Sequence, residues 1–127
     1  MANLYVVLDA ASVRAVRALA RHPELRGDHV TLAFQVDPAD FTPAWVPGGG
    51  SPGDIVELRA IGHAADARVQ ALLIEQGGLR TRPWDGGTLH VTVSRQPWAR
   101  SRDSNALLAS GTPEPLELAL SGVIAWS

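Results

Sequence analysis

Short apolar runs alternate along the chain with stretches of helical spacing, and clusters of glycine, proline and polar residues separate them. The apolar runs predict strands at residues 4–9, 30–36, 54–61, 88–94 and 115–126, the last as one long strand or two short ones. Helical spacing predicts a helix at residues 12–20, with Ser12 as its N-cap, and another at residues 64–76, which Gly77 and Gly78 end. Residues 104–109 are predicted to form a short helical turn.

The two halves of the chain repeat one order of predicted elements: a strand, a helix, and a strand that carries His-Val-Thr. Such a duplication favours two similar α+β lobes around a pseudo-two-fold axis, with a central cleft between them. Residues 37–53, which hold four Pro and four Gly, are predicted to form a loop. They are not a domain boundary, because neither half alone could close a useful core, so residues 1–127 are expected to form a single domain.

Composition narrows the class of protein. The chain is 46% hydrophobic and 19% charged, which is typical of a folded globular protein, and no apolar run is long enough to span a bilayer. It has no cysteine, which excludes disulfides, Cys-based zinc sites and a thiol nucleophile, and agrees with a cytoplasmic location. A net charge of -2 gives no general attraction to nucleic acid, so an RNA substrate would be held by one end. We expect a monomer that binds neither membranes nor DNA.

The tripeptides His29-Val30-Thr31 and His90-Val91-Thr92 use half of the four histidines of the chain and lie in similar predicted strands. Side chains alternate along a strand, so the histidine and the threonine of each tripeptide share one face and the valine points to the other. Each strand is therefore expected to bury an apolar face and to present an imidazole and a hydroxyl to the cleft.

These residue types suit the hydrolysis of a cyclic phosphodiester. The reaction needs a base for the attacking water and an acid for the leaving ribose oxygen, and histidine is the side chain that titrates near neutrality without perturbation. Threonine hydroxyls can donate hydrogen bonds to the non-bridging phosphate oxygens. We therefore interpret His29, Thr31, His90 and Thr92 as a catalytic set that needs no cofactor and no metal.

Histidines on strand faces can also have structural or metal-binding roles. A single histidine on a strand face is more often structural than catalytic, and it is the occurrence of two matching copies that favours catalysis. Two histidines without a strong carboxylate partner near either make a poor set of metal ligands. His22 and His63 lack such a setting, and we expect both on the surface.

The sequences HVTLAF (29–34) and HVTVSR (90–95) resemble the paired His-x-Thr motifs of the 2H phosphoesterase superfamily. Its members include bacterial 2'-5' RNA ligase-like proteins, the cyclic phosphodiesterase domain of fungal tRNA ligases, and vertebrate 2',3'-cyclic-nucleotide phosphodiesterase. The resemblance implies a bilobal fold with two antiparallel sheets and flanking helices, and a substrate that is a nucleotide or RNA end with a 2',3'-cyclic phosphate. Residues 101–111 are similar to the corresponding segment of the phosphodiesterase branch, which implies hydrolysis to a 2'-phosphate.

The resemblance also implies roles for single residues. His90 would be the base and His29 the acid, with Thr92 near the water and Thr31 near a phosphate oxygen. Phe34 would lie near the nucleobase and Arg95 near the phosphate. Phe34 has odd spacing from His29, however, so in a regular strand it would point to the core, and only a bulge or a strand end would turn it to the cleft.

Further candidates flank the motifs. Trp45, Trp84 and Trp98 lie in predicted loops and could stack on a base or pack beneath the loop. A group of arginines could hold a phosphate or be solvated: Arg80, Arg82, Arg100 and Arg102. Two other functions remain open, namely RNA ligation through a 2'-5' linkage and a module that binds an RNA end or nucleotide without turnover.

Overall fold

The computed structural model describes residues 1–127 and has an α+β architecture with seven strands and two helices. In chain order the elements are β1 (Ala2–Leu8), α1 (Ala10–Arg17), β2 (Glu24–Leu25), β3 (His29–Val36), β4 (Ile55–Ala65), β5 (Val69–Glu75), β6 (His90–Arg95), α2 (Asp103–Ser110) and β7 (Glu114–Trp126). Two 3-10 turns, Pro38–Asp40 and Pro43–Trp45, lie in the predicted loop between β3 and β4. No helix combines the length and the apolar character needed to cross a membrane.

All strands belong to one antiparallel sheet with the order β2-β6-β5-β4-β7-β1-β3. The α+β class is confirmed, but the structure contains one sheet where we expected two. The physical reason is the pairing of β4 with β7, whose long strands hydrogen-bond along most of their length and join the two halves of the chain into a single sheet. The two strands that carry His-Val-Thr, β3 and β6, each lie two places from this central pair.

The predicted helix at residues 64–76 is wrong. β4 continues to Ala65, the Asp66 carboxylate accepts hydrogen bonds from the backbone of Arg68 and Val69 in a tight turn, and β5 follows. Residues 69–72 are all buried, so this strand is covered on both faces, and its sequence has no regular alternation to mark it as a strand. The strand-helix-strand order is therefore present in the first half of the chain and absent from the second.

The first helix begins earlier than predicted. Asp9 is its N-cap, and its carboxylate accepts a hydrogen bond of 2.8 Å from the backbone N–H of Ser12. Ser12, the predicted cap, lies inside the helix, where its hydroxyl accepts a hydrogen bond of 2.9 Å from the backbone of Ser121 in β7. The helix thus docks on the sheet through both a polar contact and the fully buried Val16.

One hydrophobic cluster of 18 buried residues fills the side of the sheet that α1 and the loop of residues 37–53 cover. On β1 it takes every second residue, including Val6, and on β3 it begins with Val30 and Leu32, while Tyr5 and His29 lie on the opposite face. Trp45 and Phe41 pack against this cluster from the loop. The other face of the sheet is thereby left open for polar side chains.

A short segment joins the two ends of the sheet. β2 pairs with β6, with Glu24 opposite Arg95, and His29 begins β3 only four residues after β2 ends. Four residues span at most about 14 Å, so the sheet must curl until β3 stands near β6. Gly27 makes the turn with a positive φ of 91°, and a Cβ there would stand 2.7 Å from a methyl carbon of Val16 in α1. Position 27 therefore requires glycine, both because φ is positive and because a side chain would collide with Val16.

Candidate active site

One cavity of about 580 Å³ opens where the curl brings β3 and β6 together. Its lining comes from both motif strands, from β1, from the segment before β3, from the loop between β5 and β6, and from the start of α2. The lining residues are Tyr5, Arg26, Asp28, His29, Thr31, Phe34, Arg82, Trp84, Asp85, His90, Thr92, Ser101, Arg102 and Asn105. The structure therefore brings His29, Thr31, His90, Thr92 and Phe34 around one space, whereas Arg95 does not line it.

Strand pairing sets the direction of the first motif. In the β1–β3 ladder, His29 lies opposite Val7 and Thr31 lies opposite Tyr5. Val30, between them, is fully buried on the core face. This is the alternation expected from the sequence.

A β-bulge follows the first motif. The register steps by one residue on β1, from Leu4 to Tyr5, but by two on β3, from Ala33 to Thr31, so Leu32 and Ala33 are both buried. The extra residue reverses the phase of the strand and turns Phe34 to the cavity side, where it is 51% exposed. Phe34 thus reaches the cavity through the kind of bulge that its odd spacing requires.

β6 has a bulge at the same place. Gln70 pairs with Ser94 and the next residue of β5, Ala71, pairs with Thr92, so Val93 and Ser94 are both buried. Arg95 is consequently the structural counterpart of Phe34. The two hexapeptides share their motif and also the irregularity that follows it.

Arg95 is held away from the cavity by neighbours outside it. Its Nε lies 2.9 Å from the carboxylate of Glu24 in β2, an ion pair without the alignment of a hydrogen bond, and its Nη1 donates a 2.9 Å hydrogen bond to the Ala99 carbonyl. The structure thus places Arg95 in a structural contact between β2 and the segment after β6.

His90 is held in one orientation by the backbone. Its Nδ1 lies 2.9 Å from the Thr88 carbonyl oxygen, which can only accept a hydrogen bond, so Nδ1 carries a proton. Burial lowers the pKa of His90 below its ordinary value of 6.5, against the effect of the Thr88 carbonyl, and the nearby charges of Arg82 and His29 lower it further. Near neutral pH the ring is therefore uncharged, and its Nε2 is free to accept a proton.

His29 has a different environment. Its Nδ1 lies 3.1 Å from a carboxylate oxygen of Asp28, the preceding residue. Its ring stacks on Tyr5, with ring centroids 4.1 Å apart and planes inclined by 26°. The two histidines therefore differ in their Nδ1 partners, a side-chain carboxylate for His29 and a backbone carbonyl for His90.

The two threonines also differ. The Thr92 hydroxyl lies 2.9 Å from the hydroxyl of Ser104, a fully buried residue of α2, and donates a longer hydrogen bond of 3.4 Å to the Ser101 carbonyl. These contacts attach the start of α2 to the second motif. The Thr31 hydroxyl lines the cavity without such partners.

The remaining predicted candidates divide between the cavity and other places. Trp84, Arg82 and Arg102 line it, whereas Trp45 packs on the core and Trp98 is exposed elsewhere. Two further arginines, Arg80 and Arg100, also lie outside it. Arg80 pairs with a carboxylate of β5.

The prediction that His63 lies on the surface is wrong, whereas His22 is partly exposed. His63 is 9% exposed, and its Nε2 accepts a 2.8 Å hydrogen bond from the amide of the buried Gln70. His22 is half-buried, and its Nε2 lies 2.9 Å from the Asp66 carbonyl. His22 thus joins distant segments of the chain, and His63 lies in a polar contact between the paired strands β4 and β5.

Six cavity residues were not foreseen from the sequence: Tyr5, Arg26, Asp28, Asp85, Ser101 and Asn105. Asp28 could have been found, because it directly precedes His29. Tyr5 reads as an ordinary strand residue and comes to the site only through the pairing of β1 with β3.

No group of three or more His, Asp or Glu side chains stands close enough together to bind one metal ion. Comparison of the chain with protein-family models, with curated proteins and with solved structures found no match.

Proposed function

We propose that this protein hydrolyses 2',3'-cyclic phosphates, on nucleotides or at RNA ends, to 2'-phosphates without a metal ion. One observation carries the proposal: both His-Val-Thr tripeptides line the same cavity, so two imidazoles and two hydroxyls can act on one phosphate. An acid and a base are what in-line displacement at a cyclic phosphodiester requires.

His90 is proposed as the general base. Its Nδ1 proton is committed to the Thr88 carbonyl and its pKa is lowered, so the unprotonated Nε2 is available at neutral pH. In the proposed step, Nε2 takes a proton from the water whose oxygen attacks phosphorus. The bond from phosphorus to the ribose 3'-oxygen then breaks.

His29 is proposed as the general acid, donating a proton from Nε2 to the departing 3'-oxygen. The contact between Nδ1 and the Asp28 carboxylate holds the ring in one orientation and leaves Nε2 for this role. The asymmetry of the two histidines is thus supported by their hydrogen-bond acceptors, one a carboxylate and the other a carbonyl.

The threonines are proposed to bind oxygens. The Thr31 hydroxyl is free to donate to a non-bridging phosphate oxygen, whose charge grows in the transition state. Thr92 is restrained by Ser104, which suits a residue that holds the attacking water in a fixed position. Phe34 and Trp84 offer two aromatic surfaces in the same cavity to a nucleobase.

We also propose that the chain is a member of the 2H phosphoesterase superfamily, with its pseudo-two-fold relation between halves. Two features support this: β3 and β6 occupy equivalent places on either side of the β4–β7 pair, and a bulge follows the His-x-Thr motif in both strands.

The test is turnover of 2',3'-cyclic AMP and of an RNA oligonucleotide with a cyclic end, in EDTA, with separation of 2'- from 3'-phosphate products. We expect 2'-AMP from the wild type, a loss of at least about 100-fold in His29→Ala and His90→Ala, and wild-type rates in His22→Ala as a matched control outside the cavity. No turnover of any cyclic phosphate would contradict the proposal.

The two alternatives give different results in the same assay. A binding module would bind 2'-AMP with no turnover by the wild type. A ligase would join an RNA with a cyclic end to one with a hydroxyl end, and gel analysis of paired RNA halves would detect the longer product.

A further inference from the structure

Three guanidinium groups line the cavity, and two of them are already matched by carboxylates. Arg82 makes a bidentate pair with Asp85, with N–O distances of 2.8 and 2.9 Å. Arg26 lies 3.5 Å from the Glu24 carboxylate and donates a 3.1 Å hydrogen bond to the Leu25 carbonyl. Arg102 has neither an ion pair nor a side-chain hydrogen bond to another part of the protein, although it lines the same cavity.

The arginine of the second motif is not available to a phosphate. Arg95 is bound to Glu24 and to the Ala99 carbonyl and lies outside the cavity lining. Release of Arg95 would leave Glu24 paired with Arg26 alone. The motif therefore does not supply the guanidinium that the resemblance implies.

Arg102 is placed at the cavity by contacts of the residues around it. It is the N-cap residue of α2, between Ser101, whose carbonyl accepts a hydrogen bond from Thr92, and Ser104, whose hydroxyl bonds to the Thr92 hydroxyl. The backbone that carries Arg102 is thus attached to a motif residue. Its own exposed side chain remains free to reach a ligand.

The pairing of charges in the lining leaves one cation for a bound phosphodiester. Arg26 is paired with Glu24, Arg82 with Asp85, and the Asp28 carboxylate contacts the His29 ring, so Arg102 is the arginine of the lining without a carboxylate partner. A cyclic phosphodiester carries one negative charge. A guanidinium can present two parallel N–H donors to its two non-bridging oxygens.

We infer that Arg102, and not Arg95, is the substrate-positioning arginine of this site, pairing with the non-bridging oxygens of the phosphate. The inference rests on the proposed function for the identity of the phosphate. Because the pairing exists in the ground state, its loss weakens substrate binding more than it slows the chemical step.

The experiment compares Arg102→Gln with Arg100→Gln, which removes an exposed arginine of the same segment that does not line the cavity. With 2',3'-cyclic AMP, Arg102→Gln should raise KM by about 10- to 100-fold and leave kcat within about threefold. Arg102→Lys should recover part of the affinity, because it restores the charge without the two parallel donors. Arg100→Gln should keep the wild-type KM.

Equal KM values for Arg102→Gln and Arg100→Gln would overturn the inference, as would a fall in kcat at unchanged KM. Thermal unfolding of both variants should match the wild type, because neither side chain makes an ion pair.

Binding of 2'-AMP, followed by the change in tryptophan fluorescence, separates this inference from the proposed function, because Trp84 is the one of the four tryptophans that lines the cavity. If the wild type binds 2'-AMP but turns nothing over, and Arg102→Gln weakens binding at least tenfold, the proposed reaction fails and the arginine assignment stands. If the wild type is active and Arg102→Gln binds and reacts as the wild type does, the assignment fails and the reaction stands.

Discussion

His29 and His90 occupy the same position in identical tripeptides, yet their Nδ1 atoms contact different acceptors. One contacts the Asp28 carboxylate and the other the Thr88 carbonyl. Each contact fixes the orientation of its ring, and the Thr88 carbonyl, which can only accept, also fixes the tautomer of His90. The chemical difference between the two residues therefore comes from their neighbours.

Separate roles for the histidines predict a selective rescue by the leaving group. A substrate with a good leaving group needs little help from an acid, so His29→Ala should recover most of its lost rate with such a substrate, and His90→Ala should not. The measurement is the ratio of kcat/KM values for two substrates that differ in leaving-group pKa. Rescue of His90→Ala alone would reverse the roles, and equal rescue would refute them.

The lowered pKa of His90 predicts the acid side of the pH profile. The base acts only when neutral, so activity is lost as pH falls through its pKa, and burial places that pKa below 6.5. We expect the acid limb of kcat/KM for 2',3'-cyclic AMP to have its midpoint below pH 6.5. The midpoint belongs to the coupled pair of histidines, and a value above 6.5 would contradict the role of His90.

Phe34 and Arg95 illustrate how far single residues can be predicted. Both follow their threonine by three positions, and both lie beyond a bulge on the cavity face of the sheet. Phe34 remains in the cavity, while a carboxylate from β2 holds Arg95 outside it. The sequence places both candidates near the motifs, but the contact with Glu24 depends on strand pairing.

At the level of elements, the segment from β2 to β3 is what brings the motifs together. It pairs with β6 at Glu24 and starts the other motif strand at His29. Arg26 within it donates its backbone N–H to the Val93 carbonyl at 2.8 Å, which extends the contact with β6. The turn in this segment is therefore expected to matter for both stability and activity.

Gly27→Ala tests that turn. A side chain there meets a positive φ, costing about 1 kcal/mol, and a contact 2.7 Å from Val16, costing about 1–3 kcal/mol more in the free energy of unfolding. Gly53→Ala is the matched control, because Gly53 has a φ of 97° and open space around its Cβ position. Urea unfolding should show the larger loss for Gly27→Ala, with a lower kcat/KM under conditions where both variants are folded.

A loss no larger than that of Gly53→Ala would mean that α1 yields to the added methyl group. A normal kcat/KM in a destabilised Gly27→Ala would mean that the turn does not set the relation of β3 to β6.

The mistaken helix at residues 64–76 shows the limit of periodicity. A strand covered on both faces shows no alternation of apolar and polar residues, and the apolar residues of β5 also satisfy a helical pattern. The strands β1, β3 and β6 were predicted from short apolar runs, and in β3 and β6 the His-Val-Thr tripeptides also show the alternation of a strand covered on one face. β2 has only two residues and could not be recognised at all.

Over the whole molecule, a buried polar network links distant parts of the chain. The Gln70 amide group donates to the Leu19 carbonyl at 2.6 Å and to His63 at 2.8 Å, and its oxygen accepts from the Ser94 hydroxyl at 2.7 Å. Since His63 Nε2 accepts a hydrogen bond, it carries no proton. The folded state therefore favours the neutral form of His63.

This network predicts that the free energy of unfolding falls in acid. Burial lowers the pKa of His63 below 6.5, and Arg21 adds to the effect while Glu114 opposes it. Below pH 6.5 the unfolded chain takes up a proton that the folded chain resists, so stability is lost as pH falls, by about 1.4 kcal/mol for each pH unit between the two pKa values. Urea unfolding between pH 7.5 and 5.5 should show this fall, and His63→Gln should reduce its slope. An unchanged slope would exclude His63 as a source.

Local patterns alone were enough to predict the strands that alternate, the long loop before β4, the α+β class and the paired His-Val-Thr tripeptides on strand faces. These features depend on residues close in the chain, whose spacing fixes which side chains share a face. Tertiary structure decided the other features. These are the curl that brings His29 to the side of His90, the single sheet, the strand β5, the ion pair of Arg95 with Glu24, and the exposure of Arg102 to the cavity. Each of them depends on which distant segment packs against a residue, and a residue's own neighbours in the sequence do not contain that information.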